Sequence, residues 1–136
     1  MVLFFNLFLT FNTSGISLLG LGNAYGSLGQ YERAIAFNQK SLDISREIGD
    51  VLGESLSLNN LGDAYDSLGL DREQDALEAY RNARELYQTM GLDADVQDCN
   101  DKIEGLSQPK KPVVSQHGFW GWLRRLWRWL SGWFRR

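Results

Sequence analysis

The chain is poor in the residues that build chemical sites. It has one cysteine, one histidine and two prolines in 136 residues. Cys99 alone cannot close an internal disulfide, so nothing points to an oxidising compartment. One Cys and one His cannot supply the four ligands of a structural zinc site. There is no G-x-x-x-x-G-K-[ST], no G-x-G-x-x-G after a strand, no H-E-x-x-H and no G-x-S-x-G. No residue types are spaced as a nucleophile with its base. These absences speak against catalysis and against any cofactor. Cys99 lies among apolar residues at helix spacing and reads as a small core side chain.

Charge is also missing from particular places. No charged residue precedes Glu32 and no carboxylate follows Glu104. Residues 1–104 carry seven Lys or Arg against all seventeen Asp and Glu; residues 105–136 carry seven Lys or Arg alone. A body near −10 is thus joined to a tail near +7, a split that suits a basic tail meant for an anionic surface or partner. All five tryptophans lie in the tail.

The body repeats itself. Residues 17–29 read SLLGLGNAYGSLG and residues 57–69 read SLNNLGDAYDSLG, identical at nine of thirteen positions. The match resumes two residues later, Ala34-Ile35 with Ala76-Leu77 and Ile48-Gly49 with Met90-Gly91, so copy two carries an insertion near Asp71–Asp75. Each copy reads as two helices. Leu18, Leu21, Ala24, Tyr25 and Leu28 recur at spacings of three and four, then Gly29 stops the helix. Ala34, Phe37, Ser41, Ile44 and Ile48 follow the same spacing up to Gly49. Helices are predicted at 15–28, 31–48, 51–68, 72–90 and 93–106. Gly22 and Gly62 sit inside helices, where glycine costs propensity and needs a close packing partner.

The L-G-x-A-Y…L-G-x-Y…A-I layout resembles the tetratricopeptide repeat, a helix–turn–helix unit. The NNLG-x-AY and REIGD phrases are similar to the 40-residue subtype of kinesin light chains and bacterial arrays. The resemblance covers residues 14–106 and implies an all-α fold of two full copies plus a half copy. It departs from the family at two places. Asn38 stands where the family has an aromatic, kept as Tyr80 in copy two. Asp71 replaces the turn aromatic found as Tyr31. Both loosen packing.

Residues 93–106 read as a capping helix, with Val96, Cys99, Ile103 and Leu106 on one face and Asp93 as N-cap. Residues 1–13 are an apolar segment. It reads as a packing helix, as a signal or anchor, or as a poorly ordered end. Asn12-Thr13-Ser14 is a helix start after a break.

Residues 107–117 form a Pro/Lys linker. Residues 118–136 then read as a separate amphipathic helix. On a helical wheel Phe119, Trp120, Trp122, Leu123, Leu126, Trp127, Trp129, Leu130, Trp133 and Phe134 take one half. Arg124, Arg125, Arg128, Arg135 and Arg136 take the other. Trp and Leu facing Arg is the pattern of a helix lying in a membrane interface, not of a span. Folding back on the body, a homo-oligomer or protein partner, and nucleic acid are the alternatives; nucleic acid is disfavoured because the two-faced sorting suits a plane.

The resemblance implies a protein-interaction scaffold; the absent motifs make it non-catalytic and the single cysteine suits the cytoplasm, while the tail would make it peripheral to a membrane. The alternative is a membrane-active or oligomerising tail carried by a short repeat remnant. In the family the first helix of each pair lines a peptide groove. Mapped here, the groove positions are Asn23, Asn59, Asn60, Asp63, Asp66, Asp98 and Asp101. Their amides suit peptide backbone and their carboxylates favour basic or neutral segments. The tail itself could occupy this groove.

Overall fold

The computed structural model describes the backbone of residues 2–108, and their side chains other than those of residues 2–9, 11 and 70. The expected tail helix lies outside the described residues.

Five α-helices follow one another: α1 Val2–Ser27, α2 Tyr31–Ile48, α3 Val51–Leu68, α4 Glu73–Met90 and α5 Asp93–Ser107. No strand occurs among the described residues. Each helix packs on the next in sequence order, and α1 also touches α3. Alternate helices therefore fall into two layers, with α1, α3 and α5 on one side and α2 and α4 on the other.

The stops are built as the glycines require. Gly29, Gly49 and Gly91 have φ of 72°, 73° and 70°. After each, the next amide reaches back into the last helical turn: Gln30 N–H to Tyr25 O, Asp50 N–H to Ser45 O, Leu92 N–H to Tyr87 O. This pairs carbonyls that a helix end leaves open. Asp50 also caps α3, accepting the Gly53 N–H at 3.0 Å. The insertion in copy two forms a 3₁₀ turn, Leu70–Arg72. Because α4 starts at Glu73, the structural counterpart of Tyr31 is Glu73 rather than Asp71.

Two details differ from the sequence reading. The helix start expected at Asn12-Thr13-Ser14 is absent, and α1 runs through it. The Ser14 and Ser17 hydroxyls donate to the carbonyls one turn back, Thr10 O and Thr13 O, so they are satisfied inside the helix instead of capping a new one. Asp93 is the first residue of α5 and not its cap; Leu92 holds that place without a side-chain bond.

The core lies along α4, which contributes to both buried clusters. Leu42 of α2, Leu58 and Leu61 of α3, Ala79, Ala83 and Tyr87 of α4 and Cys99 of α5 form one buried cluster. Leu106 closes a second with Ala76, Leu77 and Tyr80. Thus α5 covers the face of α4, as a capping helix should. The repeat identity does not carry over into equal burial. Leu61 is 3% exposed, whereas Leu21, its counterpart, is 44% exposed. α3 has a helix on both sides; among the described residues α1 has α2 and α3 on one side only. A polar seam joins the first three helices: Ser57 Oγ donates to Ser41 Oγ at 3.0 Å, and Ser41 Oγ to Gly15 O at 2.9 Å.

Candidate functional site: the face of the first helices

All seven groove positions fall on α1, α3 and α5. The structure gathers them at two seams and leaves two aside.

At the α3–α5 seam the centre is Lys102, which the groove mapping does not contain. Its ammonium lies 2.9 Å from Asp63 Oδ1 and 2.9 Å from Asp98 Oδ2. It also donates to Asn59 Oδ1 at 3.1 Å and sits 5.2 Å from the Tyr80 ring centre. The Tyr80 hydroxyl donates to the same Asp63 Oδ1 at 2.7 Å. Three groove residues are therefore already engaged by the protein's own cation. One signal for it was in the sequence: Lys102 is the one basic residue within 93–106 and stands four after Asp98. The other partner, Tyr80, comes from α4, and only the fold brings it there.

Burial opposes the charge on Lys102, but the hydrogen bonds to Asp63 and Asp98 outweigh it and hold its pKa above the ordinary 10.5. Burial, and then the bond to Asp63, push Tyr80 far above its ordinary 10.0. The signs agree. Unfolded tyrosine and lysine lose protons first as pH rises, so the native state binds more protons and stability falls with pH. The contribution is complete below about pH 10 and is lost above it. Urea unfolding should therefore give a midpoint that is flat up to about pH 8, slips as the buried Cys99 thiol begins to count, and falls steeply beyond about pH 10. Tyr80→Phe should make that fall shallower; an equally steep fall would show that this cluster does not govern it.

The α1–α3 seam is open. A cavity of about 400 Å³ is lined there by Asn23 from α1 and by Asn60 and Asp63 from α3, with Ala34 and Asn38 of α2 behind them. Asn38 is 1% exposed, and its Oδ1 has no hydrogen-bond donor. It stands against Gly22, where any Cβ would collide with the amide. Asp66 and Asp101 belong to neither seam's cluster; both are exposed, and Asp101 accepts from Gln97 at 2.7 Å.

Burial raises the Cys99 pKa against the pull of Lys102, so the thiol is kept protonated in the core. Among the described residues no three His, Cys, Asp or Glu come together as a metal site, and no helix is long and apolar enough to cross a membrane.

Helix pairs stacked in sequence order define a helical-repeat module. The particular family follows from the sequence: the tetratricopeptide repeat profile matches residues 13–89, more than half of the chain. The chain belongs to the tetratricopeptide repeat family, whose repeats are typically non-catalytic scaffolds for protein or peptide partners. No curated protein matches it.

Proposed function

We propose that the chain is a non-catalytic scaffold whose first-helix face takes an extended peptide, while its C-terminal tail holds it at an anionic membrane surface. The observation that carries the groove is the open α1–α3 seam, lined by Asn23, Asn60 and Asp63. Amides there can both donate to and accept from a peptide backbone. Lys102 offsets one of the four groove carboxylate charges and engages two of those carboxylates, Asp63 and Asp98. A neutral peptide with one or two basic residues therefore suits the face better than a polybasic one. Asp66 and Asp101 remain to attract those basic residues.

The tail reading rests on sequence. Each Arg near an anionic leaflet contributes on the order of 1 kcal/mol, and the Trp/Leu face contributes more through burial, at about 25 cal/mol per Å².

Peptides selected from a random display library on the full chain should shift amide resonances of α1, α3 and α5. Binders that map to α2 and α4 would refute the groove. In a separate arm, the full chain should sediment with vesicles containing phosphatidylserine and be released as salt rises. Replacing Trp122, Trp127 and Trp129 by Ala should weaken this more than replacing Arg124 and Arg128. A protein that stays in the supernatant at low salt has no such anchor.

A further inference from the structure

The two seams are copies of one another with different contents. α2 and α4 begin 42 residues apart, as do α3 and α5, while the α1 motif precedes that of α3 by 40. Gly22, Asn23, Asn38 and Asn60 thereby correspond to Gly62, Asp63, Tyr80 and Lys102. In the second seam the Tyr80 ring fills the space beside Gly62, where a Cβ would lie 2.5 Å from Cε1, and its hydroxyl is taken up by Asp63. In the first seam an amide stands in place of the ring. Gly22 is retained and makes room for the shorter Asn38 amide, and beyond that amide, where the longer ring would reach, a cavity of about 400 Å³ remains.

From this we infer that the α1–α3 cavity is an anchor pocket for a donor-bearing aromatic side chain, tryptophan or tyrosine, presented by a partner peptide. The inference rests on the groove reading above and says which part of the peptide is held. Three features select the occupant. Small residues, Gly22, Gly26, Ala34 and Ala64, give the pocket flat walls that a ring can lie against. Asn38, in the pocket wall, has a buried Oδ1 acceptor without a donor, and an indole N–H or a phenol O–H is the kind of group that supplies one. The one charged residue in the lining is Asp63, and its Oδ1 is already taken by Lys102 and Tyr80, which leaves amides and small apolar residues as the rest of the wall. Basic residues on either side of the aromatic would meet exposed Asp66.

The test uses the ¹⁵N-labelled full chain and acetylated, amidated pentapeptides of lysine, alanine, X, alanine and lysine, with X as Trp, Phe or Ala. The Trp peptide should move the Asn38 side-chain amide and bind about fivefold tighter than the Phe peptide, which lacks the donor. Alanine should bind weakest. Asn38→Tyr restores the ring of the second seam, so it should raise Tm by several degrees and lower Trp-peptide affinity at least tenfold. A stabilised variant with unchanged affinity overturns the pocket. If the peptides shift Asp66 and Asp98 but not Asn38, the pocket fails and the groove stands. If no peptide shifts α1, α3 or α5, the groove reading fails as well. If Asn38→Tyr, without peptide, shifts the indole resonances of the chain's own tail, the occupant is intramolecular and the partner-peptide proposal is overturned.

Discussion

Tyr80→Ala should destabilise the fold by about 3–5 kcal/mol, the range for removing a buried aromatic. Tyr80 is 1% exposed and lies in the cluster with Ala76, Leu77 and Leu106. Its removal opens a void against α3 and frees Asp63 and Lys102 from their shared partner. A domain of this size has about 5–15 kcal/mol in total, so the variant should lose roughly 15–30 °C in Tm. Tyr80→Phe keeps the ring and loses only the bond to Asp63, which is half-exposed; about 1 kcal/mol is expected. Urea denaturation of both measures the split. Equal losses in the two variants would mean that the hydroxyl, not the ring, holds the seam.

Gly62→Val should cost about 3 kcal/mol, at the upper end for overpacking a core. The new Cβ would stand 2.5 Å from Tyr80 Cε1 and 2.6 Å from Cδ1. The ring is held at its hydroxyl by Asp63 and has Lys102 5.2 Å from its centre, so moving it aside costs both contacts. Gly20 is the control: it is exposed and a Cβ there meets nothing within 4 Å. Gly20→Ala should therefore stabilise by about 0.5–1 kcal/mol, through helix propensity alone. The Gly62 penalty should shrink when the ring is absent. In a cycle of Gly62→Ala and Tyr80→Ala, the double variant should be less destabilised than the sum, by about 1–2 kcal/mol. Additivity within error would show that the glycine is not there for the ring.

Local signals fixed most of what repeats. The 3.6-residue spacing marked the five helices, and their observed ends at Ile48, Leu68 and Met90 fall where Gly49, Gly69 and Gly91 stop them. A glycine stop acts within one turn, so it is legible without knowing the fold. The helix start at Asn12–Ser14 was misread for the converse reason. Ser and Thr serve equally as caps and as inward-bonding helix residues, and only the backbone around them decides which.

The sequence by itself determined the family, the helix order and the place of the insertion. Each of these follows from spacing along one chain. Tertiary structure alone decided burial and pairing. Leu21 and Leu61 sit in the same motif, yet one is 44% and the other 3% exposed, because burial depends on how many helices stand alongside. Asp63 read as an open carboxylate until the fold brought Lys102 of α5 against it, 39 residues along the chain. Asn38 read only as a departure from a pattern. Its consequence, a cavity in one seam where the other holds a ring, exists only where α1, α2 and α3 meet.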